Sequence, residues 1–229
     1  MRKEEDHLLK ITADGTPTIQ SKIYNTEFHS MHGALNESLY VYLDKGLRYY
    51  HENNPKKNIK VLEYGFGTGL NALLTADLAH ENLIINYHSL ELFPLSVDTY
   101  LNYSELLWEK SDVPYNKELF NQLHVAEWEK NVSISPHFTL FKQKCDFREF
   151  RPESTFDVVF YDAFGPGTQP ELWGKDIFER IFQAMSSGGV LTTFCVQGVF
   201  RRMLSAVGFE WKKLPGPPGK REMLRVLKP

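Results

Sequence analysis

At 229 residues, 42% hydrophobic and 24% charged, the chain suits one α/β domain with a small appendage and has an ordinary globular make-up. No apolar run reaches the roughly 18 residues that span a bilayer. MRKEEDHLLKITADG lacks a secretory signal's apolar centre, and two cysteines, Cys145 and Cys195, give neither a disulfide framework nor metal spacing, so a reducing cytoplasm fits best. The net charge of −3 does not mark a general nucleic-acid binder, yet from Arg201 onward eight Lys/Arg stand against Glu210 and Glu222, leaving the tail at +6 and the rest at −9. A basic face on a mildly acidic body is expected.

In chain order, LLKITADGTPTIQSKI carries two short β-prone runs around Asp14-Gly15 and predicts a small hairpin. Leu35, Leu39, Leu43 and Leu47 recur every four residues, with Val41 close by, which predicts a helix from about Gly33 to Tyr50 with one apolar face. NIKVLEY reads as a buried strand and is followed by a helix from Asn71 to His80. LIINYHSLEL is the next strand and Leu95 to Leu107 the next helix. Residues 115–128 read as helical, HFTLFKQ as a strand and FDVVFYDAF as a buried strand. Pro170 to Met185 is a helix whose stripe is Leu172, Ile177, Phe178, Ile181 and Phe182. GGVLTTFCV is a strand, Gly198 to Val207 a helix, and FEWKKL and EMLRVL close the chain as two strands. Strand–helix alternation predicts a mostly parallel sheet covered on both faces, with an antiparallel hairpin at one edge. The boundary is placed at residue 58: residues 1–58 form a hairpin-and-helix appendage, 59–229 the main domain.

In such sheets ligands sit beyond the carboxyl ends of the strands, where VLEYGFGTGLNALL places Gly65, Gly67 and Gly69. A hydride-transfer fingerprint needs its third glycine three residues after the second, and Leu70 stands there. A phosphate loop needs Gly-Lys-Ser/Thr, and Asn71-Ala72 follows instead. Glu63 in front gives E-x-G-x-G-x-G, which resembles the first motif of S-adenosylmethionine-dependent methyltransferases. The cofactor carries no phosphate, glycines let backbone approach it closely, and a carboxylate suits its ammonium and sulfonium charges.

Three acids follow at strand ends. Glu91, about twenty residues past the glycines, is placed to accept hydrogen bonds from ribose hydroxyls. Asp146 in KQKCDFREF lies where an adenine amino group is recognised in this fold, or is a helix N-cap before Phe147. Asp162 leaves the apolar run of FDVVFYDAFGPGTQPELW, with Phe164 beside it, and can orient an amine next to an aromatic platform; a carboxylate capping a loop is the plainer alternative. His29 and His32 stand at helical spacing without a further ligand pattern, and read as structural or as a substrate-facing wall. The two cysteines and Trp108, Trp128, Trp173 and Trp211 read as packing.

The chain resembles the methyltransferase domain of the MnmC-like family, the tRNA 5-methylaminomethyl-2-thiouridine methyltransferases. The similarity is carried by DGTPTIQS, FHSMHGALNES, VLEYGFGTGLN, FDVVFYDAFGPGTQPELW, GGVLTTFCVQGVFRRMLSAVGF and PGKREML, which run from Asp14 to Leu224. The resemblance implies a Rossmann-like class I methyltransferase sheet that binds S-adenosylmethionine and methylates the aminomethyl group of a wobble uridine in tRNA. By resemblance Glu63, Gly65, Gly67, Gly69, Asn71, Glu91, Asp146 and Asp162 line the cofactor site, and Asp162 and Phe164 face the reacting amine. Lys220 and Arg221 of the basic tail are expected on the anticodon-loop phosphates. Relatives often carry a fused flavin-dependent oxidase; no second dinucleotide fingerprint follows here, so an oxidase would be a separate partner. Gly165-Pro166 and Cys195-Val196 depart from the family's commoner Ala-Pro and smaller residues. The rivals are a transferase of methyl or aminopropyl groups to small amines, and a non-catalytic RNA-binding protein on a nucleotide fold.

Overall fold

The computed structural model describes residues 7–110 and 116–229. The centre of its main sheet is parallel: β4 (Asn58–Tyr64) pairs with β5 (Ile84–Leu90) on one side and β8 (Phe156–Tyr161) on the other, β5 with β7 (Phe138–Gln143), and β8 with β9 (Met185–Thr193). Every residue of β8 is buried, as an apolar run covered on both faces should be. Both edges are antiparallel. β10 (Glu210–Pro215) and β11 (Glu222–Leu227) form the expected hairpin on β9. The other edge, β6 (Asn131–Ser135), is an addition to the sequence reading; its polar NVSIS pattern conceals it. The eight strands therefore run in the order β10-β11-β9-β8-β4-β5-β7-β6.

The helices follow their apolar stripes. α3 (Leu70–Leu78), α4 (Val97–Lys110) and α5 (Lys117–Val125) lie between the left-hand strands, and α6 (Lys175–Ala184) and α7 (Gly198–Val207) between the right-hand ones. Tyr115, at the start of the predicted helix 115–128, lies outside the described residues. The helix read from Pro170 is broken: Pro170–Trp173 is a 3-10 turn, and α6 begins after Gly174. Met185, expected to close that helix, opens β9.

The expected coverage of both sheet faces holds only in part. Residues 144–155, between β7 and β8, form turns and no helix. One face of β5 and β7 is therefore left as a groove of about 560 Å³, lined by Asn86, His88, Thr139, Phe141 and Gln143. The alternating burial of β5 and β7 is the imprint of that half-cover.

Ahead of the sheet, β1 (Leu8–Ile11), β2 (Pro17–Ser21) and β3 (Thr26–Glu27) make a three-stranded antiparallel sheet. The turn expected at Asp14-Gly15 is held by its own side chains: Thr12 Oγ1 donates to Asp14 Oδ1 at 2.7 Å, and Asp14 Oδ2 accepts the Asn36 N–H at 2.9 Å. That second bond ties the hairpin to the following helix. The helix starts as α1 (Ala34–Glu37), winds as a π-helix over Ser38–Arg48 and ends as α2 (Tyr49–Asn53). Gly46 lets it lie close on the sheet, since a Cβ there would stand 3.1 Å from Thr192 Oγ1 and 3.2 Å from Phe160. Val41, Leu43 and Leu47 share one hydrophobic core with Val61, Tyr87 and Phe160. A second cluster, built from Val159, Phe178, Leu191 and Leu204, fills the opposite face.

At the end of the sheet remote from the glycines, Asp157 is almost fully buried and gathers four groups. It accepts from Lys56 Nζ at 2.7 Å, the Lys60 N–H at 2.9 Å, Ser186 Oγ at 3.0 Å and Tyr50 Oη at 3.2 Å. Removing the acceptor strands buried donors. Asp157→Ala should therefore cost about 2–4 kcal/mol in urea unfolding while leaving cofactor affinity of the folded protein unchanged.

Candidate active site

Because β4 pairs with β5 and β8 in opposite directions along the sheet, the crevice of a doubly wound fold opens beyond the ends of β4 and β8. A cavity of about 340 Å³ lies there, and Gly65, Gly67, Asn71, Glu91, Asp146, Asp162 and Phe164 all line it. These expected residues come together from separate stretches of the chain: the glycine loop, the end of β5, the turn after β7 and the end of β8.

The glycine loop is fixed from several sides. The N–H groups of Gly65 and Phe66 donate to Leu90 O at 3.0 and 3.2 Å. Gly65 has φ +103°, and a Cβ on it would lie 2.9 Å from the carbonyl oxygen of Asp162, so only glycine lets β4 and β8 release their chains side by side. Glu91 Oε2 accepts the Gly67 N–H at 3.1 Å, and Oε1 accepts the Phe93 N–H at 2.8 Å. A carboxylate oxygen takes more than one donor, so the same group that shapes the loop can receive ribose hydroxyls. Gly69 is left-handed and starts α3; it borders the loop without lining the cavity.

Thr68, between these glycines, is clasped by two histidines that motif spacing did not single out as loop supports. His124 on α5 donates from Nε2 to Thr68 O at 3.0 Å, which fixes its neutral tautomer, and His29 Nε2 stands 3.4 Å from Thr68 Oγ1. Burial pushes both imidazoles down to about 4. His29 also meets Thr18 Oγ1 at 3.0 Å, so it links the N-terminal sheet to the loop. His32, also read as structural or as a substrate-facing wall, packs against Gly219. Among the described residues no group of three or more His, Cys, Asp or Glu is arranged to hold a metal. Behind His124, Lys142 is buried and donates to the carbonyls of Leu123 and His124 at 2.8 Å each, with its ammonium 4.8 Å from the Trp128 ring centroid. It closes the carboxyl end of α5. Burial draws its pKa down to about 8.

Asp162 is the centre of the site. Its Oδ1 accepts from Tyr42 Oη at 2.6 Å and its Oδ2 from Asn71 Nδ2 at 2.9 Å. Tyr42 comes from the π-helical stretch; the sequence signal for it was a tyrosine on an otherwise aliphatic stripe. Burial, followed by the negative charge of Glu37, lifts the Asp162 carboxyl to about 7 against the pull of its two donors and of Lys220. Glu63, expected to meet the cofactor's charge, is fully buried beneath the loop and does not line the cavity. It accepts from Ser89 Oγ at 2.6 Å, and burial raises its carboxyl to about 8. Asp146 lines the cavity and also makes the capping turn: its Oδ1 accepts the Arg148 N–H at 2.9 Å and the Arg148 guanidinium at 3.0 Å, which holds it below the usual carboxylate range.

The two tail residues lie apart from the cavity lining. Lys220 turns inward, paired with the buried Glu37 and 4.0 Å above the Phe194 ring. Arg221 is exposed. Cys195 is buried and Cys145 half-buried; burial raises both thiols. Trp173 packs in the second core and donates from Nε1 to Phe164 O at 2.8 Å, so it supports the loop that carries Phe164.

The cavity's carboxylates, Glu91, Asp146, Asp162 and Glu171, outnumber its one arginine, and the loop offers backbone with no lysine. Such a lining fits a cationic nucleoside better than a polyphosphate. Residues 109–229 match the family described as S-adenosyl-L-methionine-dependent methyltransferase. The chain belongs to that family. Other comparisons agree in fold. The bifunctional protein MnmC of Chromobacterium violaceum, named for tRNA 5-methylaminomethyl-2-thiouridine biosynthesis, is 28% identical over 95% of the chain and 34% of its own length. Its namesake in Nitrosospira multiformis is 31% identical over 89% of the chain and 35% of its own length. The methyltransferase thus spans about a third of these curated relatives. Among solved structures, MNMC2 from Aquifex aeolicus superposes with a TM-score of 0.74 at 23% identity, covering 100% of this chain and 72% of that one. Spermidine synthase from Thermotoga maritima gives 0.53 at 13% identity, covering 96% and 71%.

The loop geometry has a direct consequence for cofactor affinity. Gly65→Ala should weaken S-adenosylmethionine binding by at least about tenfold in calorimetry. His124→Ala should weaken it several-fold, and His124→Gln, which keeps a donor, should recover most of the loss.

Proposed function

We propose that this methyltransferase transfers a methyl group to the primary amine of a 5-aminomethyl wobble uridine in tRNA. The supporting observation is Asp162: a carboxylate at the switch point, bordered by Phe164, held by Tyr42 and Asn71 on one side and open to the cavity on the other. The similarity to the MnmC proteins, which extends over nearly the whole chain, supports that choice of acceptor.

S-adenosylmethionine, when bound, supplies a methyl group on a positively charged sulfur. Gly65, Gly67 and Asn71 would hold its amino-acid end, Glu91 its ribose and Asp146 its adenine. Asp162 accepts a hydrogen bond from the neutral acceptor amine and aims the nitrogen lone pair into the cavity. As the N–C bond forms and the methyl carbon's bond to sulfur breaks, leaving its electron pair on a neutral thioether, Asp162 would take up the proton that the nitrogen sheds. Tyr42 and Asn71 fix the carboxylate's rotamer, so the amine meets a prearranged acceptor at near-attack distance. With its carboxyl raised to about 7, Asp162 is a better proton acceptor than an ordinary aspartate at cellular pH. A wobble base in an anticodon loop is already weakly stacked, so bringing it to Asp162 costs less than flipping a base from a duplex.

The tail assists in a smaller way than its charge suggests. Lys220 serves the ion pair with Glu37, and exposed Arg221, Arg202 and Lys212 remain for phosphate contacts. Before methylation the substrate's amine has to be exposed, and a flavin-dependent oxidase is the activity we assign to that step.

Labelled methyl donor incubated with hypomodified tRNA bearing aminomethyl wobble uridine should label the tRNA; label on small amines but not on tRNA would overturn the reading. The rate should rise with pH as Asp162 ionises near 7 and fall at least about a hundredfold in Asp162→Asn. The same group sets a stability trend. Its folded pKa lies above the ordinary value of about 3.9, so its contribution is complete below about pH 4 and is lost as pH rises through about 7. The drop in melting temperature between about pH 6 and pH 8 should accordingly be smaller in Asp162→Asn than in wild type.

A further inference from the structure

The cavity has two halves of different character. Around Gly65, Gly67, Glu91 and Asp146 it is backbone and carboxylate. The rest of its wall carries the rings of Tyr24, Phe28 and Phe164, with Phe164 two residues past Asp162. Tyr24 lies 5.3 Å and Phe28 5.4 Å from Phe164 between ring centroids. Phe164 belongs to the loop after β8, whereas Tyr24 comes from the turn between β2 and β3 and Phe28 follows β3. All three rings are only half-buried, unlike the core aromatics Tyr64, Tyr87 and Phe160.

The wall is held in place. The Phe28 N–H donates to Ile19 O at 2.8 Å, and the His29 N–H to Thr18 Oγ1 at 3.2 Å. The Tyr24 N–H donates to Ser21 Oγ at 3.3 Å. Phe28 also leans on the glycine loop, 3.3 Å from where a Cβ of Gly67 would stand. Tyr24 and Phe164 both stand more than 4 Å from that position, so Tyr24, which meets Phe164 across the wall, tests the ring-lined half apart from Gly67.

The geometry points to this ring-lined half as the acceptor subsite, in which the N-terminal sheet supplies Tyr24 and Phe28 as a stacking wall for a planar heterocycle whose exocyclic amine reaches Asp162. The inference rests on the tRNA reading above and names the residues that would select a base. A base swung out of its loop loses its stacked neighbours, and aromatic side chains replace them. An aliphatic amine presents no flat face to these rings. As an ammonium ion it is attracted to them, but the rings then favour the protonated form, which has no lone pair to receive a methyl group.

Initial rates with labelled donor would be compared for wild type, Tyr24→Ala and Tyr24→Phe, on hypomodified tRNA and on small aliphatic diamines, with cofactor dissociation measured on the same preparations. Tyr24→Ala should raise the KM for tRNA by about tenfold, the loss of one base–ring stack, and keep cofactor affinity within about twofold. Tyr24→Phe should stay near wild type. Transfer to tRNA with the KM of Tyr24→Ala unchanged would overturn the subsite and leave the tRNA reading standing. A parallel loss of cofactor affinity in Tyr24→Ala would also overturn it, by moving the ring's role to the cofactor half. Wild-type transfer to diamines alone, or to neither acceptor, would overturn the tRNA reading and the base-stacking wall with it.

Discussion

The carboxylate of Asp162 is the point at which the molecule's separate parts are joined. It sits at the end of a fully buried strand, where water cannot solvate it on the protein side, and so it must be met by donors from elsewhere. One donor is Asn71, just past the glycine loop; the other is Tyr42, on a helix that precedes the sheet in sequence. Satisfying one carboxyl group therefore sets the distance between β8, the cofactor loop and the N-terminal helix. The π-helical winding around Tyr42 and the bare Gly46 beneath it are the local means by which that helix is brought close enough.

The same arrangement divides labour between carboxyl groups by environment. Glu63 and Asp162 are both lifted by burial, yet Glu63 is sealed under the loop with Ser89 and Asp162 opens to the cavity. Glu91 and Asp146, at the more open strand ends, are tied up by backbone N–H groups and an arginine. Carboxyl groups thus serve here as a sealed acceptor under the loop, a group facing the cavity and loop-shaping acceptors, and only their surroundings distinguish them.

Most of this was visible in the sequence where a local rule applied. Strand ends with acids, glycines at alternate positions and apolar stripes at helical spacing depend on neighbours in the chain, and the residues they marked do, for the most part, meet at one crevice. The sequence was opaque where the determinant was distant. Glu63 looked like a site carboxylate because it adjoins the glycines, but strand alternation turns it to the buried side. Lys220 looked like a phosphate contact because its neighbours are basic, yet it answers Glu37 at a separation of 183 residues. Tyr42, His124 and Tyr24 carry no motif; their roles arise from the packing of one element on another. The open face beside β5 and β7 was hidden for the converse reason, since strand–helix alternation elsewhere in the chain reads as a sheet covered on both faces.

The clasp between Lys220 and Glu37 bears on how the protein is made. Lys220 lies in the turn between the last two strands, and Gly219 beside it packs against His32, so that turn closes over the segment leading into the first helix. Contacts of such long range are the slowest to form. During synthesis the glycine loop and the strands that frame it leave the ribosome well before Lys220 can reach back to Glu37. A nascent chain thus holds its glycine loop and the strands that frame it before the turn of Lys220 can close over the segment that leads into the first helix.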